Sequence, residues 1–456
     1  MNKLKIQFLG GAGTVTGSKF YLDTDEIKIL VDCGMFQGLK ELREQNWEPL
    51  PVDVPNIDVV LLTHGHLDHC GYLPLLARQG FTGKILGTAP TLEIARIILE
   101  DSAKIHEEEA DRANREGYSK HDPALPLYTE EDVNQALKLF ESIEEGEEIT
   151  LSENCHACFK YNGHIIGSTY IELHLFGKLF VFSGDVGRMH DDLLNPPKQP
   201  KWADYLFVES TYGDRLHPKE DVAGILQDLI DRTLQERGTL IIPSFAVERL
   251  QSLMYQLWKL YNKNLIPNIP VFVDSPMGTN VLGVFEHFSQ WHKLSLEEYH
   301  NMCNHINLVS SYRETWETID DPRPKIVIAG SGMITGGRVL TYIKQLADLE
   351  STTILLVGYQ AEETRGRKLL EGATELKMFG KYVDIKAKIM HLESLSAHAD
   401  QEELLTWMGS IQNIPEKVFL IHGENTAMET YKTKIHERFG WDCHIPRLHE
   451  VVELWL

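Results

Sequence analysis

The chain lacks any stretch apolar enough to cross a bilayer, which argues against a helical membrane span. It also lacks a basic excess. With 44 Lys and Arg against 67 Asp and Glu, the formal net charge is −23, which argues against a broad nucleic-acid-binding face and leaves room only for a local basic groove. Cysteine is sparse, with six residues scattered over 456, so no disulfide framework is expected and a reducing, cytoplasmic setting is. The one close pair, Cys155 and Cys158, has no second pair of zinc ligands beside it and is read as ordinary core or surface thiols. Residues 1–9 are too short and too polar for a signal peptide and alternate like a strand. Repeats, low-complexity segments and Pro/Gly/Ser linkers are missing too. The Gly-rich run from Gly10 to Gly17 lacks the GxGxxG spacing, and a strand rather than a helix follows it, so a dinucleotide site is not indicated; it is read as a tight turn near the site.

What is present is a globular composition, 43% hydrophobic and 24% charged, on a chain too long for one ordinary core. Two domains are therefore expected. Without a linker, an insertion fits better than two domains in series.

The informative stretch is Thr63-His64-Gly65-His66-Leu67-Asp68-His69-Cys70-Gly71. An apolar run of strand length, 57–62, precedes it, and a helix start at 71–77 follows. In an extended segment residues two apart share a side, so His64 and His66 can converge on one ion. Asp68 and His69 are adjacent, diverge, and can reach a second. Imidazoles with a carboxylate and no thiolate suit a catalytic zinc or a similar divalent metal better than a structural zinc knot.

Further carboxylates and histidines recur at strand ends. Residues 27–34 read as a buried strand ending in Asp32, a candidate support for the metal loop. Helical patterns cover 91–116 and 129–142. His164 stands in a turn before a strand at 170–175, and strands at 178–182 and 205–209 run into Asp185 and Glu209. His64, His66 and His164 can then hold one metal, Asp68 and His69 begin the second, and Asp185 bridges both. Texture then changes to alternating strands (239–242, 271–273, 325–329, 352–357) and helices (219–236, 247–262, 277–290, 337–347), a β/α pattern with a parallel sheet. Its strands run into Gly/Ser loops carrying Ser275, Ser331 and Gly332, which offer backbone N–H groups to phosphate. Arg338, Arg365 and Arg367, with Arg249 and Lys368, are candidate phosphate contacts. From about 387 strand-and-turn texture returns, carrying His398 and then a strand, 417–421, that ends in His422. A helix and two closing strands are expected to finish the chain.

With HGHLDH, His164, Asp185, Glu209, SAHAD and IHGE in this order, the chain resembles metallo-β-lactamase-fold ribonucleases of the β-CASP group. The short bacterial and archaeal relatives of the cleavage and polyadenylation endonuclease subunit are the most similar. The stretches IAGSGMITGGR, LLVGYQAEETRGR and DSPM also look like that subgroup. The resemblance implies an αββα metallo-β-lactamase sandwich, 1–208 and 387–456, interrupted by an inserted β-CASP α/β domain with a parallel sheet at 209–386. It implies two Zn2+ per chain, Mn2+ or another divalent ion being an alternative: His64, His66 and His164 on one, Asp68, His69 and His422 on the other, Asp185 bridging. Asp32 matches the supporting aspartate, Glu209 the β-CASP acidic motif and His398 the histidine at the scissile phosphate. His422 stands where the DNA-processing branch usually has Val, which favours RNA. An appended C-terminal dimerisation domain and a preceding RNA-binding module, as some relatives have, are not expected, and both a homodimer and a monomer stay open.

The expected activity is hydrolysis of RNA phosphodiesters by a metal-bound hydroxide, leaving 5′-phosphate and 3′-hydroxyl ends, with Asp68, Asp185, Glu209 and His398 catalytic. Endonuclease action is expected, with trimming from an end left open. The competing readings are a thioester or lactam metallo-hydrolase, a DNA nuclease, and a non-catalytic RNA-binding scaffold.

Overall fold

The computed structural model describes residues 2–117, 119–361 and 363–456, and the chain forms two compact units, 1–216 with 398–456, and 217–397.

The first unit contains two seven-stranded sheets. One runs in the order Val451–Trp455, Lys3–Gly10, Lys19–Thr24, Lys28–Val31, Val59–Leu61, Lys84–Thr88, Phe140–Ile143. The other runs Cys443–His444, Lys417–Ile421, Tyr205–Glu209, Lys178–Phe182, Thr169–Leu175, Cys155–Tyr161, Glu148–Ser152. Alternate residues of both point into one shared core, where Phe8, Phe20, Phe182, Phe207 and Phe419 meet; Phe207 stacks on Phe182 at 4.2 Å and on Phe419 at 4.6 Å. The opposite face of the second sheet packs Val181, Leu206 and Leu420 against Trp407, Met428 and Tyr431 of helices Gln401–Met408 and Asn425–Phe439. Helices Leu73–Arg78 and Ala89–Glu116 cover the first sheet; the longer one is capped by the Thr88 hydroxyl and ends at Gly117 in the left-handed region. The αββα sandwich expected from the motifs is therefore present.

Within each sheet the central strands are parallel, and their C-terminal ends lie together. In an α/β architecture that edge is where ligands bind, because the loops leaving the strands converge there. Two close backbone approaches lock those loops. A Cβ on Gly34 would lie 1.6 Å from Asp68 O, and one on Gly187 would lie 2.0 Å from Gly163 O. Only glycine fits at either position.

The second unit holds an all-parallel six-stranded sheet, Asn307–Leu308, Val271–Asp274, Lys325–Ala329, Thr239–Pro243, Thr352–Val357, Lys388–Leu392. A small antiparallel hairpin, Glu375–Met378 with Lys381–Asp384, is attached.

Two local expectations change. The helical pattern at 129–142 stops early: Thr129 and Asp132 form a capping box, the helix spans Glu130–Leu137, and Phe140–Ile143 pairs with Lys84–Thr88 as an edge strand. The units part at 216/217 and 397/398 rather than at 208/209 and 386/387. Tyr205–Glu209 is a central strand of the first unit, and Lys388–Leu392 extends the sheet of the second. Cys155 and Cys158 sit an odd number apart on one strand, so they face opposite sides; both are buried and free.

Candidate metal centre

Every residue proposed as a metal ligand lies in the first unit, in a loop, turn or short helix next to a strand. Asp32 follows Lys28–Val31; the loop bearing His64 and His66 follows Val59–Leu61; Asp185 follows Lys178–Phe182; His422 follows Lys417–Ile421. Asp68 and His69 open the short helix Leu67–Cys70. His164 sits in the turn before Thr169–Leu175, its amide donating to Ser168 Oγ at 3.0 Å. Asn162 holds the Asp185 loop by donating Nδ2 to Ser183 O and Asp185 O, both at 2.6 Å. The Gly-rich turn reaches the site as expected: Gly11 O accepts from His422 N at 2.6 Å.

Two donor clusters result. In the first, His64 Nε2 and His164 Nε2 each lie 3.2 Å from His66 Nδ1, and Asp185 Oδ2 lies 3.4 Å from His64 Nε2 and 3.6 Å from His164 Nε2. The three rings meet edge-on, with interplanar angles of 77–81°. In the second, His422 Nε2 is 3.3 Å from Asp68 Oδ2, and His69 Nε2 is 3.3 Å from Asp185 Oδ1.

These donors fit divalent ions. A neutral imidazole has one N–H, so three ring nitrogens and a carboxylate oxygen aimed at one point cannot satisfy each other by hydrogen bonds alone. Asp185 Oδ1 and His69 Nε2 are both buried and, although close, have no hydrogen-bonding geometry. A cation between them removes that deficit. Burial holds the pKa of His64 far below its ordinary value and brings His66 down to about 4, so each is a neutral imidazole with one bare nitrogen at neutral pH. Burial disfavours charge on Asp185, but His422, His69 and His64 outweigh it and keep the carboxyl ionised.

A second layer holds this one. Asp32, at φ 57°, accepts from Thr63 N at 2.8 Å and contacts Thr63 Oγ1 at 2.9 and 3.0 Å; its Oδ2 lies 2.8 Å from His69 Nδ1. Thr63 Oγ1 lies 3.1 Å from His64 Nδ1. Thr211 Oγ1 lies 3.1 Å from His422 Nδ1, and His422 itself has φ 47°. Left-handed backbone at two non-glycine residues is a local cost of the kind found where geometry serves function. Sequence reasoning had singled out neither threonine; their only signal was position, directly before His64 and two after Glu209.

Glu209, fully buried at the end of its strand, accepts from Val186 N at 2.6 Å and stands 3.4 Å from His398 Nδ1. The His398 backbone bridges to Gly187, and its ring lies 4.4 Å from that of His164. Burial opposes charge on His398, but Glu209, then Asp185 and Asp68, outweigh it and raise its pKa above the ordinary value. Its side chain is 22% exposed.

The residues suggested for phosphate contact all lie in the second unit, and most are engaged locally. Ser275 Oγ caps the helix Pro276–His287; Ser331 Oγ accepts from Thr335 N at 3.0 Å; Gly332 O accepts from Gln360 Nε2 at 3.3 Å. Arg338 donates to Asp274 and Thr315 and stacks on Tyr312 at 3.9 Å, Arg249 donates to Val357 O, and Arg367 to Glu371. Arg365 donates to the carbonyls of Ile334, Thr335 and Lys377 and, with exposed Lys368, lines a cavity of about 540 Å³.

Comparison with known proteins adds three family matches: residues 13–229 to the metallo-beta-lactamase superfamily, 250–369 to the Beta-Casp domain, and 382–446 to the Zn-dependent metallo-hydrolase RNA specificity domain. The chain is 34% identical over 432 residues to ribonuclease TTHA0252 of Thermus thermophilus, covering 93% of this chain and 94% of that one. It is 29% identical to transcription termination factor FttA of Methanocaldococcus jannaschii, covering 97% and 70%, and 30% identical to an RNase J-like protein of the same organism, covering 94% and 96%. A crystal structure of a protein of unknown function from Enterococcus faecalis V583 has the same fold at 14% identity, with a TM-score of 0.53 over 99% of this chain and 100% of that one.

Proposed function

The chain belongs to the β-CASP ribonucleases of the metallo-β-lactamase superfamily, and from that premise we propose that it hydrolyses RNA phosphodiesters at the two donor clusters around Asp185, leaving 5′-phosphate and 3′-hydroxyl ends. The observation that carries the reading is the position of Asp185, whose two oxygens face different sets of imidazoles.

In this reading His64, His66 and His164 hold one ion, Asp68, His69 and His422 the other, and Asp185 bridges. A set rich in imidazole and carboxylate, free of thiolate, favours zinc and tolerates manganese. Two such ions would lower the pKa of water towards neutrality and offset the charge of the phosphate. The chain's own groups do the rest. Asp32 orients His69 through Nδ1, and Glu209 orients His398 in the same way. His398 Nε2 then holds the proton that the leaving oxygen requires. The unpaired state of the six cysteines supports a cytoplasmic setting.

RNA, the DNA of the same sequence, a chromogenic lactam and a thioester, each incubated with metal-loaded protein, test the assignment. Turnover of RNA above the other three is expected. Preference for the lactam or thioester would overturn it.

A further inference from the structure

We propose that the hydroxyls of Thr63 and Thr211 decide which nitrogen of His64 and of His422 is bare, one threonine serving each metal position. The inference rests on the two-metal reading above.

The argument follows the protons. A neutral imidazole has one N–H, and only the other nitrogen can ligate. A hydroxyl has one proton to donate and lone pairs with which to accept. Thr63 Oγ1 lies 2.9 and 3.0 Å from the two oxygens of Asp32, which as a carboxylate only accepts, so the hydroxyl proton goes there. Its 3.1 Å contact with His64 Nδ1 then closes only if Nδ1–H donates. His64 Nε2 is left bare, and it is this nitrogen that faces His66 Nδ1 at 3.2 Å and Asp185 Oδ2 at 3.4 Å.

The same arrangement recurs at the other end of the site. Thr211 Oγ1 lies 3.3 Å from the backbone carbonyl of His422, which only accepts, and 3.1 Å from its Nδ1; with the hydroxyl proton on the carbonyl, Oγ1 accepts from Nδ1–H. Here the ring is contested. Asp185 Oδ1, 3.4 Å from Nδ1, favours the proton on that side, whereas Asp68 Oδ2, 3.3 Å from Nε2, would accept it on the other. Thr211 tips the balance towards a bare Nε2. His69 gives the internal reference, because the Asp32 carboxylate 2.8 Å from its Nδ1 fixes the same tautomer directly. Fold register delivers Thr211 to this place: Glu209 pairs with Ile421 across parallel strands, and Ser210 N donates to His422 O just beyond them.

Without either hydroxyl, a buried Nδ1–H loses its acceptor and the ring gains access to the tautomer that aims N–H at the ion. Loss of such a supporting partner typically costs about 10–100-fold in metal affinity.

The test is zinc titration of the full chain against a competing chelator, comparing wild type with Thr63→Val, Thr211→Val and the corresponding Thr→Ser variants. Melting of each metal-free protein monitors folding, and Thr→Ala replaces Thr→Val wherever the latter melts early. Wild type is expected to bind two ions. Each Val variant should weaken one of them by about 10–100-fold and spare the other, and Ser should restore wild-type affinity. Unchanged affinities in the Val variants, or Ser variants as weak as Val, would overturn the inference. A wild type that binds fewer than two ions would instead overturn the two-metal reading, and this inference with it.

Discussion

Glu209 and His398, 189 residues apart in the chain, meet with Nδ1 3.4 Å from the carboxylate, and the ring they orient lies beside His164. In the proposed mechanism His398 delivers a proton and is not a ligand. His398→Ala should retain both metals while single-turnover cleavage of RNA falls by roughly 10²-fold or more, the usual scale of general acid–base catalysis. Cleavage near the wild-type rate would remove His398 from that role.

Asp185 should behave differently, because its oxygens face both clusters. Asp185→Ala is expected to lose metal and activity together, read by elemental analysis beside the cleavage assay. Full metal occupancy in an inactive variant would contradict the bridging assignment.

Lys19 carries a pH prediction that involves no candidate ligand side chain. Its ammonium is fully buried, donates to Gly34 O at 2.6 Å, and lies 4.3 and 5.2 Å from the Phe36 and Tyr72 ring centroids. Burial lowers its pKa to about 8. In the unfolded chain the ordinary value is about 10.4. Between those two values the unfolded state holds more protons than the folded one, so stability rises with pH; below the folded value the cost of burying the charge stands in full. The gain is on the order of 3 kcal/mol at most. Denaturant unfolding at neutral pH and near pH ~10 should therefore show wild type gaining on Lys19→Met as pH rises. Parallel pH profiles would refute the shift.

Phe207 is fully buried between the stacked rings of Phe182 and Phe419 at the centre of the sandwich. Phe207→Ala should cost about 3–5 kcal/mol in denaturant unfolding, the usual range for removing a core aromatic. A loss below about 1 kcal/mol would mean that the two sheets collapse readily into the space.

The candidate metal loop was legible because its spacing alone brings four candidate ligands together after one strand, and His164, Asp185, Glu209 and His422 were legible as candidates because each stands at a strand boundary or in a turn. What escaped the sequence depends on partners far away in the chain. Phe140–Ile143 is a strand because Lys84–Thr88 offers it an edge, and Lys388–Leu392 joins the second unit because Thr352–Val357 does the same. Thr211 gains its role from His422, 211 residues later, through a strand register that local periodicity does not encode. Arg338 read as a free phosphate contact because nothing near it in sequence announces Asp274, Thr315 and Tyr312 as its partners.

The central claim, a metal-dependent ribonuclease centred on Asp185, is tested most directly by incubating the purified protein with end-labelled RNA, with and without a chelator. The account predicts cleavage that leaves 5′-phosphate ends, stops on chelation and returns when zinc or manganese is restored. Cleavage indifferent to the chelator, or intact RNA beside protein carrying both metals, would contradict it.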